Sequence, residues 1–227
     1  MSKPADCFVD MKDVTVYRSG RILLSELSLT LKQGQMIVLK GANGCGKSSL
    51  LRSMMGYLPF KTGYLLINQE DCTDDRELFH DEAVYLGHHN GLKPSLTLRE
   101  NLHLIYAMTK GEALSDACLH HATDQFTMTA LLDDPVKYFS SGQLRRAALC
   151  RFPLLEKPLW LMDEPTVGLD MDNKNSLAAL MKNHLESQGS ILLATHEDVD
   201  VEGQIIDLHQ FKANLHAGDK SLEDWIS

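Results

Sequence analysis

The 227-residue chain has no long apolar run. Its best candidates, Leu159–Met162 and Ile191–Ala194, fall far below the ~18 to 20 residues of a membrane-spanning helix, so no span is expected. Positive charge is also in deficit. Lys and Arg number 22 against 31 Asp and Glu, a net charge of -9 that offers no general attraction to nucleic acid or to an anionic bilayer surface. Cysteine is scarce and unpatterned: Cys7, Cys45, Cys72, Cys118 and Cys150 are odd in number and have no Cys-x-x-Cys spacing. That argues against a disulfide framework, a zinc site of that type and a haem-attachment motif. The first residues, Met1 to Asp6, lack the charged-then-apolar order of an export signal, so a cytosolic chain with reduced thiols is expected. Repeats, low-complexity tracts and heptad runs are missing too. The pairs His88-His89 and His120-His121 read as surface or loop histidines, because adjacent side chains diverge on a helix or a strand.

What is present is an ordinary globular composition, 44% apolar and 23% charged, sized for one domain with a small subdomain. Leu27, Leu29 and Leu31 alternate with polar residues and predict a half-buried strand, and Met36–Leu39 is a buried strand. A helix is expected from Leu50 to Met55, a strand over Tyr64–Ile67, and an acidic loop from Glu70 to Glu82. From Thr97 to Arg151 the pattern is mostly helical with breaks at Gly111 and Pro135. Strands at Leu159–Met162, Ser190–Thr195 and Gln204–His209, with a helix over Asn173–Ser187, restore strand–helix alternation. The tail from Phe211 is polar, with Trp225 its one large anchor.

Between the Met36–Leu39 strand and the following helix lies Gly41-Ala42-Asn43-Gly44-Cys45-Gly46-Lys47-Ser48-Ser49, the G-x-x-x-x-G-K-S pattern of a phosphate-binding loop in its required context. Glycines let backbone N–H groups close on a phosphate, the helix N-terminus adds positive potential, Lys47 bridges the outer phosphates and the Ser48 hydroxyl can ligate magnesium. Phosphoryl transfer also needs a metal-holding carboxylate and a group that orients water. The strand Leu159–Met162 runs into Asp163 and Glu164, which suit those two tasks, with Asp163 on the metal and Glu164 as base.

These motifs and their order resemble the ABC-type ATPases over nearly the whole chain. Phe139-Ser140-Ser141-Gly142-Gln143 is similar to the family's Leu-Ser-Gly-Gly-Gln signature, departing at Phe139 and Ser141, and Val167-Gly168-Leu169-Asp170 resembles its D-loop. The resemblance implies an α/β P-loop core with an N-terminal antiparallel β subdomain (core residues 1–94 and 152–227) and a helical subdomain over 95–151. It implies ATP and Mg2+ as cofactors, with Ser140, Gly142 and Gln143 facing the nucleotide of a second subunit. His196 resembles the switch histidine that contacts the γ-phosphate, although a histidine at a strand end is otherwise usually structural. Tyr17 fits the aromatic that stacks on adenine, the alternative being a strand-face tyrosine.

Where the family usually has glutamine, this chain has His88, a possible metal contact, in Tyr85-Leu86-Gly87-His88-His89-Asn90-Gly91-Leu92-Lys93. That segment, with Leu96-Thr97 and Glu100-Asn101-Leu102, resembles the ATP-binding subunits of cytochrome c maturation systems. This subfamily implies a homodimer bound to integral membrane permease subunits at the cytoplasmic face of the inner membrane, with no nucleic-acid partner. An ATPase of another exporter, lipoprotein-releasing or drug-exporting, is the alternative.

Overall fold

The structure, a computed structural model, describes residues 7–197 and 199–212; the polar tail with Trp225 lies outside them. Two hairpin-forming strands come first, β1 (Cys7–Arg18) and β2 (Arg21–Lys32), paired antiparallel. Val9, Met11, Val14 and Val16 of β1 are all fully buried although a strict two-residue alternation cannot put all four on one face. A bulge resolves the conflict: the register shifts between Met11 and Val14, and Asp13 takes a left-handed φ of 51°. β4 (Phe60–Ile67) and the short β5 (Glu70–Asp71) complete this sheet in the order β2-β1-β4-β5. It is the antiparallel β subdomain expected from the family resemblance.

The second sheet is parallel and ordered β6-β7-β8-β3-β9, from β3 (Met36–Lys40), β6 (Ala83–Leu86), β7 (Leu159–Asp163), β8 (Ser190–Ala194) and β9 (Gln204–Asp207). β7 and β8 are buried along their whole length, as continuous apolar runs in a doubly covered parallel sheet must be. On one face lies a core shared with the antiparallel sheet and α1 (Lys47–Met54), built on Leu29, Leu39, Leu50, Leu51, Leu161 and Leu192. On the other, Leu98, Leu102, Phe126, Leu149, Phe152, Trp160 and Leu193 join the sheet to the helical segment.

That segment contains α3 (Leu98–Lys110), α4 (Asp116–Asp124), α5 (Ser141–Leu149) and α6 (Arg151–Leu155). Thr97 and Glu100 form a capping box that starts α3, and Gly111 ends it at φ 71°. α7 (Met171–Glu186) begins at Asp170, whose carboxylate accepts the Asn173 N–H at 2.9 Å. The stretch from Glu70 to Glu82, expected as loop, instead holds β5 and a helix, α2 (Glu77–Glu82). Its buried anchors, Cys72 and Phe79, pack into the core, which an acidic composition hides from a periodicity reading.

Candidate nucleotide site

Four parallel strands end side by side, and each delivers a site element at its C-terminal edge, where α/β sheets place their ligands. After β3 comes the loop Gly41–Gly46. Gly41 has φ 151°, and a Cβ there would lie 2.6 Å from Cys45 Sγ, so the loop closes only around glycine. Lys47 is buried and donates from Nζ to the Gly41 carbonyl at 2.7 Å, which spans the loop and holds the ammonium over its mouth. α1 starts from Gly46 at φ 116° with no side-chain cap, whereas α3, α5 and α7 are capped by Thr97, Ser140 and Asp170. The first N–H groups of α1 are thus left for an anion.

After β7 comes Asp163, 2% exposed. Its Oδ1 is buried without a hydrogen-bond partner, while Ser48 bonds its carboxylate through the side chain. Burial raises the Asp163 pKa above the ordinary range, against the opposing Ser48 bond. A buried carboxylate oxygen that lacks a donor but sits beside a hydroxyl suits a hard divalent cation, which would supply the missing positive partner. Among the described residues no three His, Cys, Asp or Glu side chains converge on a metal position, so any cation here would complete its shell with phosphate oxygens and water.

Glu164 follows in a left-handed conformation, φ 48°, with its N–H donating to Ala194 O at 2.8 Å. That turn swings its carboxylate toward the end of β8. There Thr195 Oγ1 donates to Oε2 at 3.0 Å and His196 Nδ1 lies 2.9 Å from Oε1. Oε2 also accepts the His196 N–H at 3.4 Å, which leaves Oε1 as the oxygen with a lone pair open to a water. His88, after β6, completes the row of strand ends and lines the cleft. Asn43, Gly44, Gly46, Lys47, Ser48, Ser49, His88, Glu164 and His196 all line one cleft of about 770 Å³.

Other expected residues stand outside that cleft. Tyr17 is half-buried near the tip of the β1–β2 hairpin, with the Lys61 ammonium 5.7 Å from its ring centre, and it does not line the cleft. The hairpin tip instead contributes Arg18, Ser19, Arg21 and Leu23. Sequence reasoning missed these four; the signal was two arginines flanking a Ser-Gly turn. Ser140 and Gln143 form a capping box at the start of α5, with Gln143 N donating to Ser140 Oγ at 3.2 Å and Ser140 N to Gln143 Oε1 at 2.8 Å. Gly142 presses on Gly168, where a Cβ would come within 2.8 Å of the carbonyl oxygen. None of Ser140, Gly142 and Gln143 lines the cleft.

With an anion cradle on one strand end and a cation-ready carboxylate two strands away, the molecule falls in the class of P-loop nucleoside triphosphatases. Comparison with known proteins narrows the class. The sequence pattern described as ABC transporter matches residues 24–167. The cytochrome c biogenesis ATP-binding export protein CcmA of Vibrio cholerae is 35% identical over 191 residues, 84% of this chain and 92% of that protein. The protein of the same name from Gluconobacter oxydans is 39% identical over 188 residues, 83% and 81% of the two chains. A dimeric ATP-binding cassette solved in a post-hydrolysis state with ADP and Pi superposes with a TM-score of 0.79 at 26% identity, covering 88% of this chain and 94% of that one. An ATP-binding subunit of an ABC transporter gives 0.75 at 29% identity, covering 83% and 79%. The chain belongs to the ABC transporter ATP-binding family, and it is an ATPase.

Proposed function

We propose that this chain is the ATP-hydrolysing subunit of a membrane ABC complex that serves cytochrome c biogenesis, in haem export or in release of a haem-chaperone complex. The observation that carries the catalytic part is the Glu164 carboxylate, held by Thr195 and His196 in the cleft that also holds Lys47 and Ser48. The relatives named as cytochrome c biogenesis proteins, matched over most of the chain, support the cellular role.

In this reading the loop from Gly41 to Ser49 binds the ATP phosphates through backbone N–H groups, and Lys47 moves from Gly41 O to the outer phosphate oxygens. Ser48 and Asp163 would hold Mg2+, which when bound would neutralise charge on the phosphates. Glu164 accepts a proton from the attacking water, while His196 holds the carboxylate at Oε1 and stands where the γ-phosphate would come. Arg18 and Arg21 add positive charge at the cleft wall. Tyr17 stacks on adenine only after the hairpin tip rearranges about the base.

Ser140, Gly142 and Gln143 serve the phosphate site of a second copy, so the working unit is a homodimer with two sites. The described residues contain no helix long and apolar enough to cross a membrane, so in this reading permease subunits supply the path and the dimer sits against them at the cytoplasmic face of the inner membrane. Glu164→Gln should retain ATP binding and lose turnover by about a hundredfold or more. A variant that hydrolyses ATP at the wild-type rate removes Glu164 from the catalytic role. A strain lacking the chain should lose covalently haem-bearing c-type cytochromes and regain them with the wild-type copy but not with Glu164→Gln; undiminished cytochromes would defeat the cellular assignment.

A further inference from the structure

Arg145 is a charged side chain 5% exposed, one turn into α5, and among the described residues its hydrogen bonds go to carbonyl oxygens. Its guanidinium donates to five acceptors on two separate segments. Nη2 reaches the main-chain carbonyls of Asp163 and Glu164, each at 2.7 Å. Nε reaches Pro165 O at 3.2 Å, and Nη1 reaches Gly87 O at 2.9 Å and Asn90 Oδ1 at 3.1 Å. The fork is saturated, which is what a buried guanidinium needs to offset its desolvation. Burial lowers its pKa while the charges of Asp163 and Glu164 oppose that shift.

The partners are not a random set. Glu164 stands at φ 48°, a conformation that a glutamate seldom adopts without outside constraint. Its N–H is tied to β8 through Ala194 O, and its carbonyl is tied to α5 through Arg145. On the other side, Gly87 and Asn90 bracket His88 and His89. Arg151, at the start of α6, reinforces that bracket by donating to Tyr85 O at 3.2 Å and to Asn90 O. One guanidinium on the helix that begins with Ser140 and Gly142 thus fixes both the peptide that aims Glu164 and the turn that carries His88.

We propose that Arg145 is a positioning residue that makes the aim of Glu164 conditional on the placement of α5 and of the Gly87–Asn90 turn. A displacement of α5 or of the turn by about 1 Å would stretch bonds of 2.7 to 3.1 Å beyond useful length. The left-handed turn at Glu164 would then lose its clamp, and the carboxylate its fixed place beside His196. Hydrolysis is therefore coupled to the position of the signature helix within a single chain.

The inference rests on Glu164 being the residue that activates water, so Glu164→Gln is the control. Steady-state turnover is measured for the full chain together with its co-purifying membrane partners, and ATP affinity by fluorescent-nucleotide titration. Arg145→Lys keeps the charge but cannot make five bonds across the two segments. It should lower kcat by about tenfold or more with KM and nucleotide affinity within about twofold, because no contact to nucleotide is removed. Asn90→Ala removes one of the five bonds from the far side and leaves the arginine in place, so it serves even if Arg145→Lys does not fold. It should lower kcat severalfold, and should add nothing further in the Arg145→Lys background. Hydrogen exchange should rise together at 87–90 and 164–168. If Glu164→Gln turns over normally, the reading of the site itself fails. If Glu164→Gln is inactive while the foldable variants of Arg145 and Asn90 keep wild-type kcat, only the Arg145 inference fails. Losses that multiply as for independent sites, or exchange that rises evenly through the helical segment, would also overturn it.

Discussion

His184 on α7 packs flat against Trp160 of β7, with ring centres 3.7 Å apart and planes 9° from parallel. Nε2 lies 3.2 Å from Pro158 O, so that nitrogen carries the proton as a donor. Burial is the main cause that pushes the His184 pKa down from 6.5 to about 4, against hydrogen bonds to Pro158 and Ser190 that favour the charged form. The unfolded chain takes up a proton near pH 6.5, and the folded one near 4. The sign follows: this stacking contributes fully above about pH 6.5 and is lost progressively as pH falls toward 4, because the unfolded state binds the extra proton first. Integrating a 2.5-unit difference from about pH 7.5 to about pH 5 gives ~2 kcal/mol, and screening by the solvent that reaches the half-buried ring reduces this to ~1. His184→Phe keeps the stack and removes the titration. Denaturant unfolding of both proteins at the two pH values should show their stability difference changing by about 1 to 2 kcal/mol, or a few degrees in melting temperature. A difference that stays constant within about 0.3 kcal/mol would refute the buried neutral imidazole. The site is involved because Trp160 lies on the strand that ends in Asp163, so the loss of this packing in acid falls on a strand that carries a site carboxylate.

Gly142→Ala would place a methyl 2.8 Å from the Gly168 carbonyl oxygen, inside the ~3.3 Å of a close C–H to O contact, so Val167–Leu169 must shift by about half an ångström. Turnover should fall more than tenfold while stability falls by about 1 to 3 kcal/mol, as read by ATPase assay and thermal melts of one preparation. Neutralising Arg18 and Arg21 together should weaken ATP binding and flatten its salt dependence; unchanged affinity across ionic strength would mean that the hairpin tip does not meet the phosphates.

The parallel core was readable because its strands are pure apolar runs that end in chemistry: Met36–Leu39 into Gly41, Leu159–Met162 into Asp163, Ile191–Ala194 into Thr195 and His196. Buried parallel strands advertise themselves in this way. β1 was not readable, since the bulge at Asp13 breaks the alternation that a strand reading requires. The cleft shows the same division. Residues that act through backbone or through a fixed motif, such as Gly41–Ser48, were found by spacing. Arg18 and Arg21 were not, because only the folded hairpin brings them across from Lys47.

Arg145 marks the deeper limit of sequence reading. In the sequence it is one of two adjacent arginines after a capping motif, and such a pair ordinarily lies on a solvated helix face. The two diverge in the structure. Arg146 turns to Phe126 O at 3.1 Å, while Arg145 turns inward and binds carbonyls 18 to 58 residues distant in sequence. Carbonyl acceptors belong to every residue alike, so no residue identity at positions 87 or 163–165 announces the contact. Two demands make it necessary. Glu164 must hold a left-handed turn to reach His196, and the turn must be held from outside because glutamate does not hold it unaided. A buried guanidinium answers both with one group: it satisfies the carbonyls that the turn exposes, and it ties their geometry to the α5 helix that Ser140 caps.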